Sequence, residues 1–439
     1  MNPPTKINPM PSDPHRPRFH FTPGRWMNDS IPFFWNGEYH YFFLHNTAGV
    51  EWSALTAWGH AVSRDLVRWT HLPDAFAPTP GGPDRDGCWT GCVVEAGGTF
   101  YAFYTAIPDF ASEMQRQCLA TSADLIHWEK YTDNPLPVVQ PSGFGRCFRD
   151  PMVRRESDGW AMIVGGELPD HAGGAAFLYH SQDLLHWEAQ TPLCVGDAAQ
   201  TGSLFECPDF FPLGQTWALL TSSDAHTWWQ TGASDAGGFT MTRFGPTDTG
   251  AFYAAKTLLD DQGRRLLLGW VQETRSAEAQ AAAGWSGCLS LPRHITLGSD
   301  GTPRFAPVPE MQALRGRHRH WDDLTIPAGG LLLDGINGDA LEIVVRLAPG
   351  DARRVGLAVR CAPDGLEETA QWHEAGGHGG GELTLHLFLD RSVVETFVNG
   401  RVCLTQRTYP ARADALGVRL LAEGGPARAL SVDVWALGD

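Results

Sequence analysis

Apolar residues in this chain alternate with polar ones, or cluster in short aromatic-rich runs. They seldom recur at the helical spacing of three and four. The runs "EYHYFFLHN", "TFYAFYTAI", "GWAMIVGGE", "TWALLTSSD" and "RRLLLGWVQ" are typical, and Gly, Pro, Asn and Asp separate them. Alternation bounded by turn formers predicts strands, so the chain reads as all-β. Asn36-Gly37 in "WNGEYHYFF" predicts a tight hairpin between two of these strands.

An internal repeat sets the architecture. "SRDLVRW" starts at Ser63, "SADLIHW" at Ser122 and "SQDLLHW" at Ser181, so Asp65, Asp124 and Asp183 lie 59 residues apart. A regular period with several strands per unit predicts a β-propeller, whose blades usually take about 40–50 residues. The Asp would cap a turn and the Trp would fill the gap between sheets. In the same register, "CWTGC", "CFRDPM" and "ECPDFF" each begin the innermost strand of a blade. "NDSIPFF" and "AFYAAKTLLD" begin it in the first and last blades, which makes five. The predicted organisation is an irregular lead-in at 1–20, a five-bladed β-propeller at 21–306, a connector at 307–322 and a C-terminal β-sandwich at 323–439. The sandwich reading rests on alternating strands such as "LEIVVRLA", "LTLHLFLD" and "LSVDVWAL".

Composition narrows the function. A formal charge of −17 argues against nucleic acid, because a phosphate-binding surface needs excess Lys and Arg. No apolar run approaches a bilayer span, and no basic amphipathic stretch suggests a membrane surface. The N-terminal segment has no apolar signal core. Nine scattered Cys without CxxC pairs fit free thiols in a reducing cytoplasm; a signal removed before residue 1 would make the protein secreted instead. The 17 Trp include candidates for sugar-stacking surfaces.

The propeller register brings three acids, Asp29, Asp150 and Glu206, to one end of the axial funnel. Glycoside hydrolysis needs two carboxyl groups across the scissile bond, one to attack or activate water and one to protonate the leaving oxygen. A third can hold sugar hydroxyls. Taken singly, each acid has a plainer reading: a turn residue, a surface ion pair, or a solvated acid beside Pro. Their convergence on one funnel favours the catalytic reading. Glycosyl transfer carried by carboxyl groups needs no metal or other cofactor, and none is expected.

The motifs carrying these acids resemble those of glycoside hydrolase family 32, the invertase, fructan hydrolase and fructosyltransferase family. "WMND" at 26–29 is similar to its nucleophile motif, "RDP" at 149–151 to its transition-state-stabiliser motif, and Glu206-Cys207-Pro208-Asp209 to its acid/base motif. "WGHAVSRDLVRW", "CWTG", "GWSGCLSLPR" and "LFLDRSVVETFVNG" extend the likeness over almost the whole chain. The resemblance implies a retaining hydrolase that releases β-fructofuranosyl units from sucrose, fructo-oligosaccharides or short fructans. Asp29 would be the nucleophile, Glu206 the acid/base and Asp150 the stabiliser. Arg149 would bind hydroxyls or tune Glu206, with Asn28, Trp89 and Thr90 as pocket walls. Trp58 and Trp285 are candidate sugar platforms. Mutual repulsion of neighbouring carboxylates would raise the pKa of the acid.

Two departures touch the pocket. Ser30-Ile31-Pro32 stands where the family usually has Pro-Asn-Gly, and Leu44 stands in place of a common Gln, leaving His45 as a compensating hydroxyl partner. They keep open a fructosyltransferase, another five-bladed furanosidase acting on a sugar such as arabinofuranose, and a non-catalytic carbohydrate-binding propeller. The sandwich offers a surface for oligomer formation. "HEAGGH" at 373–378 misses the HExxH spacing, and "RHRH" at 317–320 reads as a solvated connector rather than a zinc site.

Overall fold

The computed structural model describes residues 13–46, 48–112, 114–235, 238–375 and 381–438. Most of the predicted lead-in and the Gly-rich end of "HEAGGH" lie outside the described residues. Strands dominate, and no described helix is long and apolar enough to cross a membrane.

The first half of the chain forms five antiparallel sheets in sequence order. Each begins with a strand that heads its sheet: Trp26–Trp35, Cys88–Ala96, Phe148–Glu156, Glu206–Leu213 and Phe252–Leu259. The second strand follows the first across a short turn, and the later strands follow as neighbours. Between Trp35 and Glu38, for example, Asn36 (φ 49°) and Gly37 (φ 79°) take the two left-handed positions of a hairpin turn. The five leading strands contact one another in cyclic order, the fifth returning to the first.

The 59-residue repeat forms the turn between the third and fourth strands of three sheets. The Asp124 carboxylate accepts from the Ile126 and His127 amides at 2.9 and 2.8 Å, and Asp183 does the same for Leu185 and His186. This frees the intervening Leu125 and Leu184 to turn left-handed (φ 66° and 68°) and bury their side chains. The repeat Trp wedges between adjacent sheets. Trp187 meets Phe103 of the preceding sheet edge-on at 5.7 Å, and Trp128 meets Phe42 at 5.8 Å. Separate apolar cores between successive sheets result.

After a short 3₁₀ turn at Pro309–Leu314 the chain builds two further sheets. The six-stranded one runs Arg315–Ile326, Ala427–Leu437, Ala340–Ala348, Leu383–Asp390, Val393–Val398, Val402–Arg407. Its inner residues, including Ile343, Val345 and Leu387, share a core with Val355, Leu357 and Leu420 of a four-stranded sheet. "RHRH" therefore differs from expectation. It lies within the Arg315–Ile326 strand, because pairing with the last strand satisfies its backbone from Arg315 onward.

A fully buried charge network joins the two halves. His20 bridges Asp390 (2.9 Å) and Glu395 (3.1 Å), while Arg293 meets Glu395 (2.6 Å) and Asp248 (2.9 Å). Burial alone would lower the His20 pKa, but its hydrogen bonds to Asp390 and Glu395 override it and raise it to about 9. The stabilisation from His20 is fully present below its ordinary pKa of 6.5 and is lost as pH rises through about 9. Calorimetry across this range should show the melting temperature falling on the alkaline side. His20→Gln should cost about 3–5 kcal/mol at pH 6.5, because it leaves buried carboxylates uncompensated, and should remove this part of the pH dependence.

Candidate active site

Each of the five leading strands breaks its register near its start. The breaks fall between Asn28 and Ser30, between Trp89 and Gly91, beside Asp150, between Glu206 and Asp209, and between Tyr253 and Lys256. These are β-bulges, which re-aim side chains. Four of them place a non-glycine residue in the left-handed region: Asp29 (φ 45°), Asp150 (φ 63°), Cys207 (φ 48°) and Ala254 (φ 49°). At the fifth, a Cβ on Gly91 would sit 1.7 Å from the Phe103 carbonyl oxygen, so only glycine fits.

Because the strands form a ring, the bulges converge on one pocket of about 300 Å³. Asn28, Asp29, Trp89, Arg149, Asp150 and Glu206 line it, joined by Leu44, Trp52, Gln115, Tyr253 and Trp270. Hydrogen bonds between neighbouring sheets fix the acids. The Thr90 hydroxyl donates to the Asp29 carboxylate. The Cys207 amide donates to Asp150 at 2.8 Å, and the Asp150 amide donates to the Thr105 hydroxyl at 2.9 Å. Glu206 receives the Arg149 guanidinium at 2.6 Å on one oxygen and the Tyr253 hydroxyl on the other.

The charges are uneven. Burial, then the neighbouring Asp150, pushes the Asp29 carboxyl up to about 7, and the Thr90 hydrogen bond pulls the other way. Burial also raises Asp150, against the opposing pull of Arg149. The negative charge of Glu206 adds to the upward push on both Asp29 and Asp150, and Glu206 itself holds the guanidinium of Arg149. The Cys207 sulfur lies 3.8 Å from Asp29 and 3.6 Å from Asp150. Burial and those two acids hold its pKa far above the ordinary thiol value, so it stays a neutral S–H.

Other expected residues lie elsewhere. Thr90 is buried behind Asp29 and serves that carboxylate rather than the pocket surface. Trp58 is fully buried; it stacks on Phe76 at 4.9 Å, and its indole N–H donates to the Trp89 carbonyl at 3.0 Å. Trp285 is fully buried too, with Arg275 and Arg407 guanidiniums 4.4 and 5.2 Å from its ring and its N–H on Asp13. Neither Trp presents a face to a sugar. His45 follows Leu44 on one strand, so the two point to opposite faces. Leu44 lines the pocket, whereas His45 is buried with Nδ1 3.1 Å from the Trp26 carbonyl oxygen, and it does not replace the missing Gln.

The exposed aromatic at the pocket is Trp52, 40% accessible, packed between Trp26 (5.4 Å) and Trp89 (5.0 Å). It lies in a loop, where no periodicity marks it; a Trp between polar Glu51 and Ser53 is the available signal. Gln115 is likewise a loop residue. Tyr253 sits at the predicted start of the fifth leading strand, and that position was its signal.

Residues 20–306 match the Glycosyl hydrolases family 32 N-terminal domain, and residues 368–436 match the Glycosyl hydrolases family 32 C terminal. Sucrose-6-phosphate hydrolase of Escherichia coli is 31% identical over 96% of this chain and 95% of its own length. The enzyme of the same name from Zymomonas mobilis is 33% identical over 96% and 92%. Among solved structures, fructan 1-exohydrolase IIa from Cichorium intybus has a TM-score of 0.88 at 26% identity, covering 97% of this chain and 98% of that one. A Bombyx mori β-fructofuranosidase variant in complex with sucrose has a TM-score of 0.79 at 25% identity, covering 97% and 94%. This chain belongs to glycoside hydrolase family 32.

The Thr90–Asp29 bond can be tested without substrate. In a carboxyl-carbon NMR titration, Asp29 should titrate near 7. Thr90→Val should raise that midpoint by about one pH unit or more, the worth of a lost hydrogen bond to a charged group, and Thr90→Ser should leave it in place.

Proposed function

We propose, with membership of family 32 as the premise, that Asp29, Glu206 and Asp150 carry out a double displacement at the anomeric carbon of a terminal β-fructofuranosyl unit. The enzyme is a fructosyl-releasing glycoside hydrolase, as its relatives with hydrolytic names indicate. The supporting observation is the convergence of the three carboxyls, from three different leading strands, on one pocket. Asp29 attacks as its anion, after losing the proton that burial and the neighbouring Asp150 favour. Its oxygen bonds to the anomeric carbon as the bond to the leaving oxygen breaks, and Glu206 gives that oxygen a proton. Water then attacks the same carbon, passes its proton to Glu206 and releases Asp29. Asp150 accepts hydrogen bonds from ring hydroxyls and holds the sugar in place. Arg149 orients Glu206 from one side and Tyr253 from the other.

Sucrose and short fructans are the proposed substrates. A pocket at the small end of the range for ligand sites suits a terminal sugar unit. Its lining carries three carboxyls and one guanidinium, which suits a neutral sugar rich in hydroxyl donors. Asn28 adds a side-chain oxygen with no hydrogen-bond partner among the described residues, and Trp52 adds an exposed aromatic face. The ring of five sheets is read as a five-bladed β-propeller over 21–306, and the two facing sheets as a β-sandwich that takes in the strand from Arg315. The nine unpaired cysteines support a cytoplasmic location.

Chromatography of products from sucrose, inulin, levan and fructo-oligosaccharides tests the reading. The wild-type enzyme should release mainly fructose, with no transfer products dominating at high sugar concentration. Asp29→Asn and Glu206→Gln should each lose about 10²–10⁴-fold or more in kcat on sucrose while remaining folded. Undiminished activity in either variant would sink the assignment.

A further inference from the structure

The strand Arg315–Ile326 is the outer edge of the six-stranded sheet. Positions two apart on a strand share a face, so His318, His320 and Asp322 project together. Antiparallel pairing sets His318 opposite Trp435 and His320 opposite Asp433, on that same face. His318 lies flat against the Trp435 indole, 4.5 Å away with planes 8° apart. Its Nε2 is 2.9 Å from Asp433 Oδ1, and His320 Nδ1 is 2.8 Å from the same oxygen. The three atoms lie within 4.8 Å of one another.

We propose that His318, His320 and Asp433 form a binding site for a divalent transition metal of the zinc class on the outer face of this sheet. Two imidazole nitrogens and one carboxylate oxygen suit zinc, nickel or copper; calcium and magnesium prefer oxygen alone. Around tetrahedral zinc, with bonds of about 2.0–2.1 Å, ligand atoms stand about 3.3 Å apart. The present separations reach that with a small opening of two exposed side chains.

The surroundings orient the ligands. The second nitrogen of His320, Nε2, is 3.1 Å from Asp322 Oδ1. A proton held there leaves Nδ1 with its lone pair toward Asp433, which is the carboxylate–histidine–metal arrangement. The Trp435 stack fixes the His318 ring plane. Both imidazoles are 43% exposed, so the fourth coordination position opens to water or to a side chain from another molecule. The metal would tie the edge strand to the last strand, Ala427–Leu437. None of these residues lines the carboxyl pocket, so the proposal stands apart from the catalytic reading.

Equilibrium dialysis of the full chain against zinc chloride, with metal counted per chain, tests it. The wild-type protein should hold one more zinc than the His318→Ala/His320→Ala double variant. The cysteines contribute equally to both proteins, so the difference isolates the site. Asp433→Asn should bind more weakly than wild type. Copper(II) loaded at one equivalent should show paramagnetic resonance splitting from two imidazole nitrogens, absent in the double variant. Equal zinc in wild type and double variant, or no nitrogen splitting in wild type, would overturn the proposal. Unchanged melting of the metal-free double variant shows that it folds.

Discussion

The site depends on a bulge repeated at the start of every leading strand. An undisturbed strand alternates its side chains between faces, and the three acids would then point along the sheets. In four of the five strands the bulge turns one residue left-handed, and it aims a side chain at the axis instead. Such a conformation costs about 1–3 kcal/mol at a non-glycine residue. Bonds between neighbouring sheets offset it. Cys207 donates to Asp150, Asp150 to Thr105, and Ala254 to Ser222 (3.0 Å). Lys256 reaches from the fifth leading strand to the Gly91 carbonyl oxygen of the second at 2.9 Å. The strain that shapes the pocket and the contacts that close the ring are therefore the same set of interactions.

The electrostatics follow from this packing. Burial and neighbouring negative charge act on Asp29 and Asp150, and the nearby Arg149 opposes them while it bonds to Glu206. Their protons bind more tightly than those of ordinary carboxyls, and Thr90 acts against that for Asp29. The buried network around His20 and Arg293 instead places each of its carboxylates in contact with a cation. One cluster is arranged for reactivity and the other for holding two units together.

Much of this was legible in the sequence, for physical reasons. Asn36-Gly37 marked a turn because both residues tolerate left-handed backbone. The 59-residue spacing marks repeated sheets because the Asp-Leu turn and its Trp recur in three successive sheets. The acids could be grouped because the repeat predicted which strands lead. What the sequence hid was the direction of side chains and the course of loops. Trp58 and Trp285 looked like platforms, but they are buried by Phe76 and by Arg275 and Arg407, which lie far off in sequence. Trp52 and Gln115 reach the pocket from loops without periodicity. "RHRH" looked like a connector because charged residues on an edge strand mask its alternation, and that alternation puts His318 and His320 side by side.

In the proposed mechanism the bulge at residue 29 presents Asp29 as the attacking group. Glu206→Ala incubated with β-fructofuranosyl fluoride tests this most directly, because fluoride leaves without an acid and the variant lacks the base for the second step. After quenching and proteolysis, mass spectrometry should find one anhydrofructosyl unit on the peptide that carries Asp29. An adduct on the Asp150 peptide, or release of fructose with inverted configuration and no adduct, would contradict the account.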